Sequence, residues 1–190
     1  QVEEAEFWIA AGTQQKGDHE CSLPLVDAFV KKYPDTSLTP NALYAKGAAL
    51  VALGRNEEGI ADFAQIAEKF PKSQPAPFTY FDRARLAAAA QNSDEVVRLM
   101  REFIGKYPDD EKVFFAFDSI GQTETNRGNL DAAIAAYESL VGSHGDSPKA
   151  PDAMLKTADL HRIAAERLGR YGALGPGDQE KWKASIDAAI

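Results

Sequence analysis

His19-Glu20-Cys21 places three metal-capable side chains in consecutive positions. A zinc site needs ligands that converge on one tetrahedral centre, and neighbours on a single turn point in different directions. The other two histidines, His144 and His161, lie far along the chain. His161 has Asp159 and Glu166 nearby in sequence. Either histidine could serve as a general base, but no nucleophile or oxyanion device accompanies it. The paired acids Glu57-Glu58 and Asp109-Asp110 fall at expected helix starts, where the helix dipole favours negative charge. Gly175-Pro176-Gly177 lacks the Gly-Lys-Ser/Thr ending of a phosphate loop. The sole cysteine, Cys21, can form neither an internal disulfide nor a zinc finger. The chain is therefore expected to be no enzyme, with no catalytic residues, no cofactor and no metal.

The 190 residues are 44% hydrophobic and 26% charged, enough for a substantial core. A net charge of −8 argues against nucleic acid as a partner, because phosphate backbones need clustered Lys and Arg. No apolar run approaches the roughly 20 residues that span a bilayer. A single cysteine fits the cytoplasm, or a periplasm in which the protein uses no disulfides. Gln1 is neither an initiator methionine nor the start of a signal sequence, so a mature form or an excised piece is expected.

The elements that position these residues follow from a repeat. Tyr33-Pro34, Phe70-Pro71 and Tyr107-Pro108 stand at a constant interval, 71−34 = 37 and 108−71 = 37. Ala10, Gly47, Ala84, Gly121 and Ala158 form a column of small residues at the same interval. Ser22, Gly59, Val96 and Ala133 form another, followed four residues on by Val26, Phe63, Met100 and Tyr137. Three further come Phe29, Ile66, Phe103 and Leu140. Apolar residues at four- and three-residue steps make one face of a helix. Each unit is thus a helix pair. Gly17, Gly54 and Gly128 supply the positive φ between its halves, with Gln91 the exception. Pro40, Pro77 and Pro151 open first helices, with Thr39 as a cap for one of them. The proline of each Tyr-Pro pair closes a second helix. First helices are expected near 2–15, 40–53, 77–91, 112–126 and 151–167. Second helices are expected near 22–33, 56–70, 93–106, 129–141 and 179–190, with Pro24 in a first turn. Copying fails at His144-Gly145, and the glycine- and proline-rich stretch 168–178 predicts a loop. Beyond it, Trp182, Ile186 and Ala189 repeat the four-then-three spacing.

These columns resemble the tetratricopeptide repeat, most closely at Leu43, Gly47, Leu50, Gly54, Gly59, Phe63, Ile66 and Pro71. The fourth unit is similar, through Phe117, Ile120, Gly121, Gly128, Ala133, Tyr137 and Leu140. The resemblance implies an all-α, right-handed α-solenoid of about five helix-turn-helix units. They form one array over 1–190, with repeats near 3–39, 40–76, 77–113, 114–150 and 151–190. The period exceeds the usual 34 residues by three. The excess lies in spacers such as Asp35-Thr36-Ser37-Leu38-Thr39. Tyr-Pro-Asp-Thr and Phe-Pro-Lys-Ser before a proline-initiated helix resemble the envelope branch of bacterial tetratricopeptide proteins. That branch includes the outer-membrane assembly lipoprotein and the periplasmic coordinator of cell division.

In such proteins the first helices line a concave face. On it, Phe7, Tyr44, Phe81, Asp118 and Leu155 share one column. Four residues on lie Arg85 and Gln122, and three before lie Asn41, Phe78 and Phe115. The expected partner-binding surface is therefore Phe7, Asn41, Tyr44, Phe78, Phe81, Arg85, Phe115, Asp118 and Gln122, with aromatic anchors for a peptide. The same aromatics could instead pack between neighbouring first helices. The chaperone-carboxylate clamp needs Lys and Asn where Phe7 and Ala11 stand, so that motif is not expected to bind. The expected function is a protein-interaction scaffold in a bacterial envelope complex. An accessory domain of a larger enzyme or transport assembly is the alternative. The expected location is periplasmic or envelope-associated, with cytoplasmic as the alternative. The chain ends within an apolar helix at Ala188-Ala189-Ile190, which predicts further repeats outside it or end-to-end self-association.

Overall fold

The computed structural model describes residues 2–15 and 18–170 and the single positions 177, 180, 183 and 187. Helices α1 (Val2–Gln15), α3 (Thr39–Ala52), α5 (Ala76–Ala89), α7 (Val113–Asn126) and α9 (Ala150–Arg170) are the first members of successive pairs. Helices α2 (His19–Lys32), α4 (Asn56–Lys69), α6 (Ser93–Lys106) and α8 (Leu130–His144) are the second members. Among the described residues there is no strand. Among the described residues every first helix begins 37 residues after the last, as does every second helix, so the interval seen in the Tyr-Pro pairs governs all the described pairs.

The chain groups into two compact units, Gln1–Glu95 and Val96–Ile190. In the first, each helix packs on the next from α1 to α5, and α1 also touches α3. In the second, α7 packs on α8 and α8 on α9. Both cores are built from the predicted columns. Val26, Phe63, Met100 and Tyr137 are all buried, as are Phe29, Ile66, Phe103 and Leu140. The small-residue column marks the closest helix contacts. A Cβ on Gly47 would lie 2.7 Å from a Phe63 ring carbon, and one on Gly121 only 2.4 Å from Tyr137.

Second helices end at Lys32, Lys69 and Lys106, one residue before the Tyr or Phe of each Tyr-Pro pair. Proline bars the residue before it from the helical region, and Tyr33 accordingly adopts φ −130°, ψ 69°. His144 occupies the same column but precedes Gly145, so it stays helical and α8 is one residue longer. The repeat does not fail there. Ser147 N–H donates to the His144 carbonyl and Ala150 N–H to that of Ser147. Phe70, Ser73 and Ala76 follow the same path, as do Tyr107, Asp110 and Val113. His144 also packs edge-on against Phe114 with its Nε2 3.2 Å from the Pro108 carbonyl oxygen, whereas Tyr33 and Tyr107 pack on Phe29 and Phe103 of their own helices.

Three local expectations are corrected. Pro24 lies inside α2, because Asp18 caps the Cys21 N–H and starts the helix at His19, earlier than the apolar pattern suggested. Proline there removes the donor to the carbonyl of exposed Glu20. Thr39 does not cap α3 but is its first residue. Its hydroxyl donates to the Tyr33 carbonyl at 2.6 Å and ties the spacer back to the Tyr-Pro turn. The loop expected from residue 168 is still helical through Arg170, and Gly177 is helical too. One glycine costs a helix about 1 kcal/mol, too little to stop a 21-residue element. The expected turn at Gly17 and the helix restart at Trp182, Ile186 and Ala189 lie outside the described residues.

Candidate functional site

In the first unit the predicted surface residues do three different things. Phe7 is buried in the core with Ala10, Val26, Phe29 and Ala42, and its ring centroid lies 5.7 Å from that of Phe29. Tyr44 is half-buried, stacks on Phe63 at 5.4 Å and donates its hydroxyl to Asp82 Oδ2 at 2.7 Å. Burial raises the Tyr44 pKa, and the hydrogen bond to Asp82 raises it further. Arg85 Nη2 lies 3.8 Å from the other Asp82 oxygen. Asp82, absent from the predicted set, therefore joins Tyr44 of α3 to Arg85 of α5. Phe78 is 41% exposed, Arg85 is exposed, and Asn41 and Phe81 are half-buried.

In the second unit Phe115, Asp118 and Gln122 rise in register along α7. Phe115 is 58% exposed. Asp118 is the hub: Tyr137 donates to its Oδ1 at 2.9 Å, Gln122 Nε2 to its Oδ2 at 2.7 Å, and Lys156 of α9 pairs with it as well. Burial raises the Tyr137 pKa, with Asp118 adding to the effect. Beside this hub opens a cleft of about 240 Å³, walled by Phe114, Phe115 and Tyr137 and edged by Lys149 and Lys156. Lys149 Nζ sits 4.8 Å from the Phe115 ring centroid. A second cleft of about 280 Å³ lies on the other side of Lys156, toward Gln122 and Asp159. The arrangement offers an apolar floor, an exposed aromatic edge, Lys149 and Lys156 at the rim, and two carboxylates in the lining, Asp152 and the Asp118 that pairs with Lys156.

Tyr137 was legible only as a core residue, and it is both: its ring packs in the core while its hydroxyl reaches the face. Lys149 and Lys156 fell outside the predicted columns. The signal that would have found Lys156 is its place one residue after Leu155, 38 residues from Asp118, the same offset that separates Tyr44 from Asp82.

The residues singled out for chemistry sit apart. Cys21 is exposed, and its thiol pKa is raised chiefly by a hydrogen bond with Asp18. His161 Nε2 lies 3.6 Å from Glu138, while its sequence neighbours Asp159 and Glu166 pair with Arg162. Among the described residues no three His, Cys, Asp or Glu side chains converge to hold a metal ion. No helix among them is long and apolar enough to cross a membrane.

Stacked helix pairs of fixed length, closed by small residues at the contact and glycines at the turn, define a tetratricopeptide-type α-solenoid fold. The chain contains tetratricopeptide repeats: models of that repeat match residues 41–73 and 120–173. No curated protein matches the sequence. Solved structures of the same fold include the MamA protein, with TM-score 0.60 at 14% identity over 98% of this chain and 91% of that one. MamA from residue 41 of Desulfovibrio magneticus RS-1 gives 0.57 at 13% identity over 98% and 94%. A putative kinesin light chain with nearly identical TPR-like repeats from Podospora anserina gives 0.57 at 13% identity over 97% and 93%. At these identities the likeness is one of fold alone.

Proposed function

We propose that the protein is an interaction scaffold whose first-helix faces hold a peptide or protein segment of a partner within a bacterial envelope complex. The observation that carries this is the cleft beside Phe115. A large aromatic left 58% exposed next to an apolar recess, with lysines at the rim, is the anatomy of an anchor pocket. Tetratricopeptide repeats support a protein partner, and the net charge of −8 supports protein over nucleic acid. On the first unit, taken by itself, Phe78, Arg85, Asn41, Tyr44 and Phe81 would offer a contact face of their own. Asp118 and Gln122 would orient Lys156 on the second. Phe7, being core, is left out of the surface. The periplasmic placing rests on the Tyr-Pro-Asp-Thr and Phe-Pro-Lys-Ser spacers and their resemblance to those of envelope proteins.

A photo-crosslinking residue at position 115 in the source cell is expected to capture a defined partner. Phe115→Ala combined with Lys149→Ala should weaken binding of that partner roughly tenfold or more. Undiminished binding by this variant and by Phe78→Ala/Arg85→Ala, both correctly folded, would remove the first-helix face as the site. Osmotic-shock release with periplasmic markers is expected; recovery with cytosolic markers alone would refute the placing.

A further inference from the structure

A lysine stands at the same point of two successive spacers. Lys112 immediately precedes α7 and Lys149 immediately precedes α9, 37 residues apart. Lys112 Nζ lies 3.6 Å from Asp110 and 3.7 Å from Glu111, and its side chain is only 24% exposed. In the next copy Ser147 stands for Asp110 and Pro148 for Glu111. The backbone turn survives the exchange. The Lys112 N–H donates to Asp110 Oδ1 at 2.8 Å, and the Lys149 N–H to Ser147 Oγ at 3.4 Å. The charge partners do not survive it. Lys149 is exposed and forms no ion pair among the described residues. Its ammonium stands instead 4.8 Å from the Phe115 ring centroid and 5.6 Å from that of Phe114.

The other charges that line the Phe115 cleft are engaged. Asp118 accepts from Tyr137 and Gln122 and pairs with Lys156. Asp152 lies in the first turn of α9, where the helix dipole favours a negative charge. Lys149 is the charge left over. Contact with a ring face is weak at an exposed site and leaves the ammonium donors able to bond an anion.

We propose that Lys149 sets the specificity of this cleft: the partner segment that seats a large apolar side chain against Phe115 carries an Asp or Glu side chain beside it. This rests on the reading of the cleft as an anchor pocket. A side-chain carboxylate suits the site better than a chain terminus. The lining residues include no Asn or Gln to fix a second oxygen, and Lys156 is held by Asp118. The preference also runs against the field of the whole protein. A chain of net charge −8 repels acidic peptides in general, so selection of an acid reports the local ammonium.

Selection of random peptides displayed on phage against the 190-residue chain tests this, followed by anisotropy titration of one selected peptide in amidated form. Selected peptides are expected to pair a large apolar residue with a neighbouring Asp or Glu. Replacing that acid by its amide in the peptide should weaken binding about fivefold, as should Lys149→Gln in the protein. Both changes together should cost no more than either alone, because they remove the same contact. Lys149→Glu should turn the selected preference from Asp and Glu to Lys and Arg. These substitutions fall on an exposed position, and unchanged circular dichroism checks the fold. Phe115→Ala separates the two levels of the reading. If binding needs Phe115 but the selected peptides carry no acid, the specificity is overturned and the anchor pocket stands. The same holds if the acid keeps its effect in Lys149→Gln. If no selected peptide depends on Phe115, both fall.

Discussion

Replacing Gln91 by glycine should stabilise the first unit. At the end of α5 Gln91 adopts φ +57°, the one described residue other than glycine with positive φ. It stands in column with Gly54 at φ +77° and Gly128 at φ +81°. All three turns close the same way. The Asn92 N–H bonds to the Ala87 carbonyl at 2.9 Å, as Arg55 does to Leu50 at 2.8 Å and Asn129 to Glu124 at 2.9 Å. This closure needs a left-handed residue, which costs a side chain with a Cβ about 1–2 kcal/mol. Glycine removes that strain but loses about 0.5–1 kcal/mol more backbone entropy on folding. The Gln91 side chain is exposed, so little packing is lost. The balance is a gain of about 1 kcal/mol. For a unit of under 100 residues that unfolds by itself this is about 4–8 °C in melting temperature; if the whole chain melts as one, it is about 2–4 °C. The reciprocal control is Gly54→Ala. No atom lies within 4 Å of the added Cβ, so its cost, again about 1 kcal/mol, is purely that of the backbone. Calorimetry of the three proteins decides. If Gln91→Gly melts no higher than the parent while Gly54→Ala melts no lower, the left-handed turns carry no strain and the reasoning is wrong.

Gly121→Ala should cost about 2–3 kcal/mol, because its Cβ would force the Tyr137 ring away from Asp118; urea unfolding measures it. Thr39→Val should cost about 1–2 kcal/mol by leaving the Tyr33 carbonyl without its 2.6 Å donor, read in the same assay. Asp62 is buried with Oδ2 unbonded, and burial raises its pKa despite Lys46 at 3.5 Å. The Lys46 pKa is raised as well, which looks contradictory for one pair; the nearer partner, Asp27 at 3.0 Å, accounts for it. A carboxyl with a raised folded pKa favours the fold while protonated and loses that contribution as pH rises through the folded value. Asp62→Asn should therefore stabilise at pH 7 and make no difference in acid below the carboxylate range; stabilisation that persists there would contradict the assignment.

The fold was legible because its period was. A helix pair copied at 37 residues leaves every core position marked several times, so Val26, Phe63, Met100 and Tyr137 confirm one another where any one alone would be ambiguous. Boundaries were less so wherever a polar side chain decided them. Asp18 outranked the apolar pattern at α2, and the Thr39 hydroxyl faced back into the turn rather than forward into its helix. A column of Thr36, Ser73, Asp110 and Ser147 also went unread. Ser73, Asp110 and Ser147 each donate their N–H to the aromatic residue three back, while the Thr36 N–H goes to the Thr39 hydroxyl. Short polar residues in a spacer read as solvent-facing filler unless the period is followed through them.

The candidate site was legible only by column, and a column does not say which members reach the surface. Phe7, Tyr44, Phe81, Asp118 and Leu155 share one position in the repeat, yet Phe7 is core, Tyr44 is turned into a bond with Asp82, and Leu155 is 66% exposed. The difference lies in the neighbours. Where the adjacent first helix offers a carboxylate one residue off the column, as at Asp82, the aromatic is held by it. Where the column itself holds the carboxylate, as at Asp118, the tyrosine comes from the second helix and a lysine from the next first helix closes the pair. Both solutions place a phenol on an aspartate between first helices, reached through different positions of the repeat. What distinguishes the second is that Phe115 and Lys149 are left at the rim, and that is the surface on which a partner would be tested.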